Sequence, residues 1–158
     1  MKRELKSGPS IGDLALTPVR YSMTEGVVMV PPSATLTDVA RTMAAEGIHS
    51  VVVAETLVPG EDPRGSWGVV SDIDLVSTTD GDATAGDLAE SPSLSVSPDD
   101  SLRRAADLMR HHRANHVMVV GYDGVPLGMV SALDIARVLG KRPVDAHGVP
   151  TSSKRSTT

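Results

Sequence analysis

The sequence predicts an α/β (α+β) fold built from two tandem β-α-β-β-α units. Three observations predict it: an internal repeat, a helix with the same apolar face in both halves, and a strand-to-helix motif that occurs twice. Each half opens with a short lead-in, Gly12-Asp13-Leu14-Ala15 with Pro18 three residues on, echoed by Gly86-Asp87-Leu88-Ala89 with Pro92. Strands are expected at Val27–Val30 and Leu94–Val96, each followed by a proline-containing turn at Pro31-Pro32 or Pro98. The helices come next. Leu36, Val39, Ala40 and Met43 match Leu102, Ala105, Ala106 and Met109, both at i, i+3, i+4, i+7. That spacing places four apolar side chains on one helix face, which must be buried. Thr35 and Ser101 precede these runs, where a hydroxyl accepts from a free first-turn N–H, and Asp38 adds a favourable charge near the positive end of the first helix.

The β-branched runs Val51–Val53 and Val117–Val120 read as buried strands, with His49 leading into the first and Asn115 and His116 into the second. The closest match between the halves is GVVSDIDL at residues 68–75 against GMVSALDI at 128–135. In both, glycine opens a short apolar strand, serine closes it, and an aspartate three residues later lies in the first turn of the next helix. Such a turn presents unpaired N–H groups at the positive end of the helix dipole, a setting that favours an anion such as phosphate. The serine and aspartate have two readings. They form a capping pair, or the serine donates to an anion while the aspartate accepts from vicinal sugar hydroxyls.

The expected boundaries are a disordered N-terminus over 1–10, a first unit over 11–79, a second over 80–142 and a disordered tail over 143–158. Glu55–Ser66 reads as a polar loop inserted in the first copy, and Thr78–Thr84 as a turn-rich junction. The composition, 40% hydrophobic and 22% charged over 158 residues, is that of a folded chain. With 2% aromatics and a net charge of −5, base-stacking platforms and a basic surface are both scarce, which disfavours nucleic acid as a partner. The absence of cysteine excludes disulfides and thiolate metal sites. The start lacks a continuous apolar stretch and no apolar run reaches about 18 residues, so a soluble, cytoplasmic protein without a membrane partner is expected.

Catalytic signatures are missing: GxSxG, HExxH and GxxxxGKS do not occur, and the chain is read as a non-enzyme. The run His111, His112, His116 has no carboxylate or thiol at ligand spacing, so His111 and His112 read as helix-closing cations and no metal is expected. The acidic stretch Asp80–Glu90 misplaces the glycine and the final glutamate of a calcium loop.

The paired motifs, with MTEGVVMVPPSATLTDVARTM in the first copy and SLSVSPDDSLRRAADLM in the second, resemble the cystathionine-β-synthase (CBS) domain, a unit that occurs in tandem as a Bateman module. The resemblance spans Gly12 to Gly140. It implies two units packed through their sheets about a pseudo-two-fold axis, two clefts between them, and a disk-like homodimer. It further implies a stand-alone regulatory module for an adenosyl small molecule (AMP, ADP, ATP or S-adenosylmethionine), read out by an unidentified protein target. Carried over, Ser71 and Ser131 lie near phosphates and Asp74 and Asp134 on ribose hydroxyls. Val28, Val30 and Val96 belong to the strands that line an adenine slot. His49 and His116 stand near the position from which basic residues reach phosphate, as backbone-satisfied histidines or as phosphate contacts, with Ser50 and Asn115 where many members carry Arg or Lys. The alternative is a structural dimerisation or protein-interaction module with empty clefts.

Overall fold

The computed structural model describes residues 13–56, 67–89 and 94–140. The expected disordered termini and most of the Glu55–Ser66 loop lie outside these residues. The chain runs through 3-10 turns at Asp13–Ala15 and Val19–Tyr21, then β1 (Thr24–Glu25), β2 (Met29–Val30), α1 (Leu36–Glu46), β3 (Ser50–Val53), β4 (Gly68–Ser71) and α2 (Asp72–Ser77). It continues through α3 (Ala85–Leu88), β5 (Ser95–Val96), α4 (Leu102–His112), β6 (His116–Val120), β7 (Pro126–Ser131) and α5 (Ala132–Gly140). The repeat is therefore β2-α1-β3-β4-α2 followed by β5-α4-β6-β7-α5. In each copy the first strand runs parallel to the second and the third antiparallel to it.

The two long helices form for the same local reasons. Thr35 Oγ1 accepts from Asp38 N and Ser101 Oγ from Arg104 N, each cap stabilising its helix by about 1 kcal/mol. Each helix ends in a left-handed residue whose N–H returns to the methionine carbonyl four back: Gly47 (φ 65°) to Met43, and Arg113 (φ 54°) to Met109. Glycine takes that conformation freely, whereas Arg113 takes it against a steric cost of about 1 kcal/mol or more.

The cores show an exchange that periodicity does not reveal. Leu14 and Val19, from the first lead-in, are buried with Val96, Leu102, Ala105, Met109, Val117, Val119, Val130 and Ile135 of the second repeat. Ala85, from the second lead-in, is buried with Val30, Val39, Met43, Val51, Val53 and Val70 of the first. Backbone hydrogen bonds fix both crossings: Val19 N to Asp100 O (2.8 Å) and Leu102 N to Thr17 O (2.9 Å), against Ala85 N to Ala34 O and Gly86 N to Pro32 O (both 2.8 Å). β1 continues the first crossing by pairing antiparallel with β7, giving sheets ordered β1-β7-β6-β5 and β2-β3-β4.

The sheets meet through a third apolar cluster, with Val52, Ala54, Trp67 and Met118 buried and Val27, Val69, Val120 and Met129 packed around them. Val52 and Met118 hold the same place in their repeats, opposite Val69 and Met129 respectively. Equivalent side chains meeting one another is the signature of a two-fold relation. Trp67 Nε1 donates to Gly124 O (3.3 Å) across this junction.

Candidate functional site

Side chains alternate along a strand, so the faces of β3, β4, β6 and β7 that carry Val52, Val69, Met118 and Met129 also carry Ser50, Ser71, His116 and Ser131. The intersheet face thus becomes polar where each repeat's second strand begins and its third ends. At that edge each repeat turns from strand into helix.

Both Ser/Asp pairs are closed capping boxes. Asp74 Oδ2 accepts from Ser71 N (2.7 Å) and Ser71 Oγ (2.6 Å), while Ser71 Oγ faces Asp74 N at 3.4 Å. The second copy repeats this with Ser131 N (2.8 Å) and Oγ (2.7 Å) on Asp134 Oδ2, and Asp134 N to Ser131 Oγ (3.2 Å). The N–H groups of Asp72 and Ala132 are taken by the carbonyls of His49 (2.9 Å) and Asn115 (2.8 Å). Two of the first-turn donors expected to face an anion are therefore engaged within each repeat. The second carboxylate oxygens differ: Asp134 Oδ1 accepts from Arg137 Nη1 (3.1 Å), whereas no such cation follows Asp74, where Ser77 stands instead.

The histidines are not equivalent, which corrects their pairing in the sequence reading. Ser50 lies opposite Ser71 and His116 opposite Ser131, so His116 corresponds to Ser50, and His49 to Asn115. His49 is exposed, with Nδ1 2.9 Å from Asp72 Oδ2. His116 is half-buried on the intersheet face and looks across at the other repeat. Burial pushes its imidazole below the usual range, the carboxylates of Asp72 and Asp74 pull it back up, and His49 pushes it down. Ser50, its counterpart, donates across the sheets to Met129 Sδ (3.4 Å).

Register also places the side chains of the opening strands. The side chains of Val30 and Val96 are buried beneath the helices of their own repeats, and Val28 packs against the first of these cores. Register places Met29 beside Val52 and Ser95 beside Met118, so Met29 and Ser95, both exposed, are what these strands present on the intersheet face.

The model of the CBS domain matches the chain twice, over residues 12–80 and 85–141. The chain belongs to the CBS domain family. No curated protein matches it. Among solved structures, a crystal structure of Hypoxic Response Protein I with two coordinated zinc ions is 30% identical, covering 77% of this chain and 98% of that one, at a TM-score of 0.60. CBSX2 in complex with AMP is 25% identical, covering 77% and 94%, at 0.62. A CBS domain protein from Pyrobaculum aerophilum complexed with AMP is 28% identical, covering 74% and 88%, at 0.63.

Within this CBS pair, the residues near the motifs that sequence reasoning left out of the candidate site are Asp72, Met29, Ser95 and Arg137. Asp72 and Arg137 were visible as the points where the two motifs and their flanks differ in charge, since Ala132 and Ser77 stand in their places. Met29 and Ser95 needed the register. His111 and His112 are exposed at the end of α4, edge to face with ring centroids 5.2 Å apart. Among the described residues, no group of three His, Cys, Asp or Glu is arranged to hold a metal ion, and no helix is long and apolar enough to cross a membrane.

Proposed function

We propose that this CBS pair is a non-catalytic regulatory module that binds an adenosyl ligand, AMP, ADP, ATP or S-adenosylmethionine, in the clefts between its repeats. The observation that carries the reading is the duplicated Ser/Asp pair at the polar edge of the intersheet face. Ser71 with Asp74 and Ser131 with Asp134 put a hydroxyl and a carboxylate beside each cleft, the groups that recognise a phosphate and a ribose diol. The AMP complexes of CBSX2 and the Pyrobaculum aerophilum protein support it. Ligand binding acts by preferring one of two packing arrangements, either between two copies of the module or between the module and a protein target. Ile73 and Val76 on α2 and Leu133 on α5, 63%, 77% and 59% exposed, offer apolar surface on equivalent helices for a second copy.

The test is isothermal titration of AMP, ADP, ATP and S-adenosylmethionine against the wild type and an Asp74→Ala/Asp134→Ala double variant. Saturable heat with at least one ligand, lost in the double variant, supports the reading. No heat with any of them at millimolar concentration refutes it. A dimerisation module with empty clefts is then favoured by the closed capping boxes, which already satisfy both serines and one oxygen of each aspartate.

A further inference from the structure

The surroundings of the two Ser/Asp motifs share equivalent backbone but differ in charge. Around the first motif stand Asp72, Asp74, His49 and, from across the sheets, His116; the matching positions around the second are Ala132, Asp134, Asn115 and Ser50. Arg137 lies on Asp134 at 3.1 Å, and its counterpart after Asp74 is Ser77. The two differences in permanently charged groups, Asp72 for Ala132 and Ser77 for Arg137, run the same way. When imidazoles are neutral, the first cleft holds two carboxylates without a guanidinium, and the second holds one carboxylate matched by one guanidinium.

Resting on the adenosyl reading above, we propose that the clefts divide the ligands: the second, with Arg137, takes the phosphorylated nucleotide, and the first, with Asp72, takes an adenosyl ligand that carries no phosphate. A phosphate dianion entering the first cleft meets Asp72 and Asp74 together, and while the imidazoles of His49 and His116 are neutral no cation offsets them. The same cleft suits a neutral nucleoside or a sulfonium, because Asp74 Oδ1 lacks the guanidinium that covers Asp134 Oδ1 and is open to a ribose hydroxyl. In the second cleft the ribose displaces Arg137 from Asp134. The guanidinium, on a side chain 66% exposed, is then free to swing to the phosphate.

The experiment is titration of AMP and of adenosine at pH 8 into the wild type, Asp72→Asn and Arg137→Gln, substitutions outside both capping boxes. Arg137→Gln is expected to weaken AMP roughly three- to tenfold, the effect of one partly screened charge a few ångströms away, and to leave adenosine in the first cleft unchanged. Asp72→Asn is expected to admit AMP to a second site, raising the stoichiometry from one to two per chain. If AMP binding is indifferent to Arg137→Gln, or the wild type already takes two equivalents of AMP with equal affinity, the division of ligands is wrong while the adenosyl reading stands. If neither ligand binds the wild type, the adenosyl reading itself falls.

Discussion

Gly128 opens the second copy of the duplicated motif, and the exchange of lead-ins explains why glycine is needed there. β1 crosses from the first half and pairs with β7 so closely that a Cβ on Gly128 falls on the carbonyl oxygen of Thr24, with Glu25 Cα 3.2 Å away. Both obstacles are backbone, so no rotamer change relieves the overlap. In Gly128→Ala the strand must lift, which strains the Gly26 N to Leu127 O bond (2.8 Å) and the β1–β7 ladder. Overpacking costs about 1–3 kcal/mol and a weakened backbone hydrogen bond adds about 1 kcal/mol, for a loss of about 2–4 kcal/mol. Gly81→Ala is the control, because nothing lies within 4 Å of its added Cβ. Urea unfolding followed by far-UV circular dichroism, with Trp67 fluorescence reporting the intersheet junction, measures both. A Gly128→Ala protein within about 0.5 kcal/mol of wild type, the scatter of neutral surface changes, would refute the close crossing of β1 over β7.

Val19→Ala truncates a fully buried side chain of the first lead-in within the second repeat's core, and is expected to cost about 2 kcal/mol in the same urea assay. A negligible cost would mean that the lead-in does not complete that core. Ser131→Ala removes the acceptor for Asp134 N and should destabilise by about 1 kcal/mol; an unchanged midpoint would show that the capping box is not formed in solution. His116 has a native pKa below its unfolded one, so the unfolded chain binds more protons as pH falls. The stability it contributes is complete above about pH 6.5 and is lost progressively below, as the pH falls toward and through the depressed native value. His116→Gln should therefore lose less stability than wild type between neutral and mildly acidic pH, and an equal loss would remove His116 from the intersheet face.

Much of the fold was legible because it is local. The matched apolar faces of Leu36–Glu46 and Leu102–His112, with Thr35 and Ser101 as caps, specify two helices without reference to the rest of the chain. Periodicity states that a face is buried but not against what, and so the exchange of Leu14 and Val19 for Ala85 stayed hidden. The strands β1, β2 and β5 are two residues long, too short for alternation to assign a face. That is why the sequence pointed to Val30 and Val96, while the register puts Met29 and Ser95 on the intersheet face. His49 and His116 illustrate the same limit, since a one-residue offset turns one imidazole outward and the other onto the intersheet face. The Ser/Asp motifs were legible as chemistry because strand end, cap and carboxylate all lie within four consecutive residues.

The most direct test of the central claim is a crystal structure of the chain grown with AMP. Nucleotide is expected between the repeats, its ribose hydroxyls within about 3 Å of a capping-box carboxylate, that of Asp134 if the clefts divide the ligands as proposed, and its phosphate near the serine of the same motif. Nucleotide found elsewhere, or both clefts empty at saturating AMP with the capping boxes intact, would contradict it.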